Sequence, residues 1–116
     1  MKNAALIKQL YTDDLTSLPN RKALREDLEN FKSPMVSIFD IDEFKGINDL
    51  YGLDVGNHVL IKIANILSDL TSDEVKVYRT GSDEFIILEE CENYQCSYED
   101  KIKDIISYIN QTSLYI

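Results

Sequence analysis

The chain has 116 residues, enough for one domain with its own core and too few for a second. Twelve Lys and Arg stand against 21 Asp and Glu, a net charge of −9, which excludes a protein that grips duplex nucleic acid with clustered positive charge. No apolar run approaches the ~18 residues of a membrane span, and the Met1-Lys2-Asn3 start lacks a secretory apolar core, so the chain reads as soluble and cytoplasmic.

In chain order, Leu6, Ile7, Leu10 and Tyr11 form a stripe suited to a short helix over 3–11. Asp13 to Asn20 has turn chemistry, and Pro19 is expected in the first turn of a second helix that runs to about Phe31. That helix would bury Ala23 or Leu24, Leu28 and Phe31. Ser33-Pro34 ends it. Met35 to Ile41 is a nearly continuous apolar run rich in β-branched residues, which predicts a strand buried on both faces. Residues 44–56 predict a short helical turn and then a loop. Asn57 or His58 is expected to open the strongest helix, with Val59, Leu60, Ile63, Ile66, Leu67 and Leu70 at 3.6-residue spacing.

Val75 to Arg79 and Glu84 to Leu88 predict two strands joined by a Thr80-Gly81-Ser82-Asp83 hairpin turn. A last helix is expected over 97–110, and Ser113 to Ile116 starts like a further strand. A helix between the first two strands implies a right-handed parallel crossover. The order then gives an α/β (α+β) fold: an N-terminal helix before a ferredoxin-like β-α-β-β-α core whose last strand is missing. One domain over 1–116, with its core over about 13–110, is expected as a fragment of something longer. Cys91, Cys96 and the single His58 fall short of the about four ligands a zinc site needs, so the cysteines are expected as free thiols.

The chemistry is expected at the strand ends. Asp40 closes an apolar strand, where an isolated carboxylate is costly to desolvate. Asp83 and Glu84 sit at the hairpin tip, which such a sheet places beside the first strand. Three carboxylates converging there would repel one another unless a divalent cation neutralised them, and magnesium is the natural choice.

Four segments in order, DDLTSLPNR (13–21), FDIDEFKGINDLYG (39–52), DVGNHVL (54–60) and YRTGSDEFIIL (78–88), resemble the successive signatures of the GGDEF domain. That family comprises the diguanylate cyclases and their degenerate relatives. The resemblance implies a nucleotidyl-cyclase fold related to polymerase palms, and the condensation of two GTP molecules into cyclic di-GMP with Mg2+ or Mn2+. It implies metal binding by Asp40, the Ile41 carbonyl and Asp83, with Asp83 also helping to deprotonate the attacking hydroxyl and Glu84 required beside it. Phe44, Lys45 and the Gly81-Ser82 backbone correspond to phosphate contacts, and Asn48 and Asn57 to the guanine contacts. One domain holds one nucleotide, so a homodimer is implied for ring closure, as is fusion to sensor or output domains.

The departures point to weak or impaired activity. Asn57 replaces an aspartate that would accept both guanine donors, whereas an amide offers one acceptor and one clashing donor. Ser82 replaces a glycine, which is strained if that position has positive φ. Leu53 replaces a common histidine. Ser72-Asp73-Glu74-Val75 stands where an inhibitory Arg-x-x-Asp would be. The alternatives to a weak cyclase are a catalytically inactive nucleotide-binding regulatory domain and a plain dimerisation module. Arg21 is expected to pair with an acidic neighbour, Tyr51 and Tyr78 to be core or rim aromatics, and His58 to be solvated.

Overall fold

A computed structural model describes residues 2–91. The helix expected at 97–110, the strand start at 113–116 and Cys96 lie outside the described residues. The elements are α1 (Lys2–Tyr11), α2 (Arg21–Asn30), β1 (Pro34–Asp40), α3 (Phe44–Tyr51), α4 (Leu53–Ser68), β2 (Val75–Arg79) and β3 (Glu84–Glu90). The strands form a sheet in the order β1-β3-β2, with β3 antiparallel to both neighbours. β1 and β2 are therefore parallel to each other with β3 inserted between them, as the predicted crossover and hairpin require. The fold is α+β.

α4 supplies the larger half of the core. Val59, Leu60, Ile63, Ala64 and Leu67 are buried against Val75 and Val77 of β2 and Phe85 and Ile87 of β3. Each fully buried aliphatic side chain contributes about 1.5–3 kcal/mol. On the other face of the sheet, Ala23, Leu24, Leu28 and Phe31 pack on Tyr78, Ile86 and Leu88. Tyr78 is fully buried, and its hydroxyl donates to Asp27 of α2, whose carboxylate lies 3.7 Å from Lys76 Nζ. Burial first, and then the Asp27 carboxylate, push the Tyr78 phenol well above its ordinary range.

Several sequence expectations are corrected. β1 is not buried on both faces: its burial alternates, and Val36 and Ile38 are 45% and 66% exposed. The reason is placement. Among the described residues β1 pairs on one side only, and α2 covers β2 and β3 without reaching it. Pro19 precedes α2 instead of entering it, because Asn20 is the cap and its side chain accepts from the Ala23 N–H. α4 begins at Leu53, four to five residues earlier than its apolar stripe suggests. No loop separates it from α3, since Gly52 alone, at φ 93°, ends one helix and starts the next. Cys91 is buried and disulfide-bonded, not a free thiol.

Candidate functional site

The end of β1 and the start of β3 meet in register. Asp40 lies directly opposite Glu84, and the Ile41 N–H donates to the Asp83 carbonyl at 3.2 Å. Asp40 is exposed, while Asp83 and Glu84 are half-buried. The turn between β2 and β3 is closed by two bonds: Thr80 N–H to the Glu84 carbonyl at 3.1 Å, and Thr80 Oγ1 to Glu84 Oε1 at 2.7 Å. The Ser82 hydroxyl lies 3.5 Å from Asp83 Oδ1.

The expected convergence of three carboxylates does not occur as such. Among the described residues, no group of three or more His, Cys, Asp and Glu is disposed to hold a metal ion. Paired residues such as Asp40 and Glu84 share a sheet face, whereas Asp83 precedes the strand in the turn, and Thr80 already holds one oxygen of Glu84. The donors left are Asp40, Asp83 and the Ile41 carbonyl. They are hard oxygens, and two carboxylates match what magnesium takes from protein. The donor chemistry fits that ion.

Ser82 is not strained. Among the described residues, the non-glycine residues with positive φ are Ser17 and Glu43, and the one such glycine is Gly52, so both Gly81 and Ser82 have ordinary backbone. A serine can therefore stand in this turn without the cost expected at a left-handed position.

The turn is also held from outside. Arg79 Nη1 donates to both carboxylate oxygens of Asp13, at 3.1 and 3.0 Å, and Nη2 donates to the Ser82 carbonyl at 2.8 Å. Arg21 Nη2 donates to the Thr80 carbonyl at 3.0 Å, so Arg21 serves a backbone oxygen where an acidic partner was expected. Asp13 further accepts from the Thr16 N–H at 2.9 Å and the Thr16 hydroxyl at 2.7 Å. Burial alone would raise the Asp13 carboxyl, but the bonds from Thr16 and Arg79 outweigh it and hold the group below its usual range.

The second part of the site is the α3–α4 pair. Glu43 caps α3 in a left-handed conformation, φ 57° and ψ 28°, and its side chain makes no capping bond to the first turn. The carbonyl of Glu43 accepts from the Ile47 N–H at 3.1 Å. Phe44 is buried in the core, while Lys45 in the same turn is exposed. Asn48, one turn on, carries a buried amide oxygen with no hydrogen-bond partner. It faces Gly56 of α4, and the exposed Asn57 follows on the same helix.

Sequence reasoning missed Arg79, Glu43 and Gly56 as site-forming residues, and treated Asp13 as a turn residue alone. Asp13 and Arg79 both fall inside motif segments, which was the available signal. Glu43 and Gly56 lie inside motif segments as well, but a glutamate does not advertise a left-handed conformation and a glycine does not advertise a close helix contact.

This arrangement of two stitched strand ends and a helix pair has known relatives. The family described as "Diguanylate cyclase, GGDEF domain" matches residues 10–113. The chain belongs to the GGDEF domain family. It is 42% identical over 96 residues to the probable diguanylate cyclase DgcI of Escherichia coli, covering 74% of this chain and 22% of that protein. It is 34% identical over 117 residues to the diguanylate cyclase DgcN of the same organism, covering 95% of this chain and 28% of that protein. The crystal structure of the GGDEF domain of DgcB from Caulobacter crescentus, in complex with c-di-GMP, superposes with a TM-score of 0.77 at 25% identity, covering 88% of this chain and 62% of that one. The chain thus spans about a quarter of the length of these curated relatives. No helix among the described residues is long and apolar enough to cross a membrane.

Proposed function

We propose that this chain is a cytoplasmic diguanylate cyclase domain of reduced activity, which condenses two GTP molecules into cyclic di-GMP as a homodimer. The observation that carries the reading is the register of Asp40 with Glu84 and the Ile41–Asp83 backbone bond, which join the two acidic motifs at one sheet end. Asp40, Asp83 and the Ile41 carbonyl would hold Mg2+ or Mn2+, which when bound supplies charge neutralisation for the triphosphate. Asp83 would accept the proton of the attacking 3′-hydroxyl, and Glu84, fixed by Thr80, would support it from the paired strand. Lys45, the amides from Phe44 onward and the Gly81-Ser82 backbone would bind phosphate oxygens. Asn48 and Asn57 would face the base. Displacement at phosphorus depends on in-line placement and charge stabilisation more than on covalent help, which suits a site made of carboxylates, one lysine and backbone amides.

Asn57 favours a second reading, a nucleotide-binding domain that regulates an attached sensor or output domain without turnover. Incubation of the protein with GTP and magnesium separates the two. Formation of cyclic di-GMP supports the cyclase; saturable GTP binding by calorimetry without product supports the regulatory domain; no heat with GTP or ATP removes both.

A further inference from the structure

The Arg79 side chain joins the turn before α2 to the hairpin before β3, and Arg21 at the start of α2 reaches the same hairpin through the Thr80 carbonyl. Its side chain is 13% exposed and that of its partner Asp13 21% exposed, so the pair is largely withdrawn from water. The guanidinium is satisfied at its two ends only, by the Asp13 carboxylate on Nη1 and the Ser82 carbonyl on Nη2, while Nε is buried with no partner. A half-buried cation that has already lost one bond depends heavily on its counter-charge.

Asp13 is itself fixed. Two bonds from Thr16 hold its carboxylate, its N–H donates to the Leu18 carbonyl at 2.7 Å, and Thr12 and Pro19 form a bridge around it. The Pro19 carbonyl accepts from the Arg79 N–H at 2.9 Å, which pins the end of β2 to the same loop. Asn20 ties that loop to the last turn of α1 through the Tyr11 and Leu10 carbonyls. A rigid loop therefore presents one carboxylate to one guanidinium, and the guanidinium reaches the carbonyl immediately before Asp83.

We propose that Asp13 is a positioning residue: through Arg79 it fixes the 80–83 turn and hence the placement of Asp83 and Glu84. The consequence for turnover rests on the cyclase reading above; the consequence for the turn does not.

The test compares amide hydrogen exchange, without nucleotide, in the wild-type protein, Asp13→Asn and Tyr78→Phe. Tyr78→Phe removes a bond from the same strand without touching Arg79, so it reports ordinary destabilisation. In Asp13→Asn the amides of residues 80–84 should exchange about tenfold faster relative to those of α4, as loss of a charged hydrogen bond at a local opening predicts. In Tyr78→Phe the two sets should accelerate together. Proportional acceleration in Asp13→Asn overturns the proposal. If that variant does not fold, Asp13→Glu, which keeps the charge but displaces it by one methylene, is read in the same way. In a protein that makes cyclic di-GMP, Asp13→Asn should lower kcat about tenfold with KM changed less than about threefold, and an unchanged kcat overturns the catalytic consequence. Absence of product from the wild-type protein would count against the cyclase reading alone, since the exchange data still decide the positioning role.

Discussion

The amide oxygen of Asn48 occupies the place where a side chain on residue 56 would begin. A Cβ built on Gly56 falls 1.7 Å from that oxygen and 3.4 Å from Phe44 Cζ. The close approach of α3 and α4 thus depends on one residue having no side chain. Two effects oppose each other in Gly56→Ala. Alanine in a helix interior is favoured over glycine by about 1 kcal/mol, while forced overpacking costs about 1–3 kcal/mol. In the wild-type background the variant should therefore be neutral or destabilised by up to about 2 kcal/mol. In an Asn48→Ala background the obstruction is gone, and the same change should stabilise by up to about 1 kcal/mol. Denaturant unfolding of the four proteins measures the cycle, and strict additivity would show that the two residues do not compete for the space.

Asn57 follows Gly56 on α4 and is exposed, so its substitution leaves the core alone. If it faces guanine, Asn57→Asp exchanges a clashing donor for a second acceptor. GTP binding should tighten ~10- to 100-fold, equivalent to about 1–3 kcal/mol. ATP binding should not tighten, because adenine does not present the same pair of donors. Calorimetry with both nucleotides reads the difference, and equal affinities for GTP before and after the change would remove Asn57 from the base site.

Glu43 enters α3 in a left-handed conformation that costs a non-glycine residue roughly 1–2 kcal/mol. Glu43→Gly relieves that cost but loses roughly 0.5–1 kcal/mol to the greater freedom of the unfolded chain. The glycine variant should be as stable as the wild type or more stable by about 1 kcal/mol. Glu43→Val should be less stable than both, since a β-branched residue tolerates positive φ worst. Thermal unfolding ranks the three, and a valine variant as stable as the wild type would contradict the left-handed assignment.

The parts of this fold that could be read in advance are those where a periodic pattern and a physical demand coincide. The stripe from Val59 to Leu67 had to face a core, and it does. The hairpin between Arg79 and Glu84 was marked by Thr-Gly-Ser-Asp and forms there. Failures arose where one residue or one distant partner decides. Gly52 replaces an expected loop by a single residue with positive φ, which moves the start of α4 back. Val36 and Ile38 look like core in a linear reading, yet nothing in the strand itself reveals how far α2 will reach across the sheet. The meeting of the two acidic segments was legible because strand pairing aligns Asp40 with Glu84, whereas the convergence of three carboxylates expected there is not found among the described residues. Its support was not, since Asp13 and Arg79 are 66 positions apart and only the fold brings their charges together.

That same pair sets a dependence on pH. The Asp13 carboxyl is held below its usual range in the folded protein, so near pH 4 the unfolded chain binds the proton more readily than the folded one. The stability it contributes is complete above about pH 5 and is lost as pH falls through the lowered folded value. Other carboxylates also titrate in this interval, so the total acid unfolding curve does not isolate Asp13. The difference between wild type and Asp13→Asn does. At pH 7 the variant should be less stable by about 1–3 kcal/mol, the range for a hydrogen bond to a charged group. As pH falls below about 4 the wild-type carboxyl takes up its proton, Arg79 loses its counter-charge in both proteins, and the two stabilities should converge. Urea unfolding at steps between pH 7 and pH 2.5 measures that difference, and a constant gap across the interval would mean that the Asp13 charge does not support the fold.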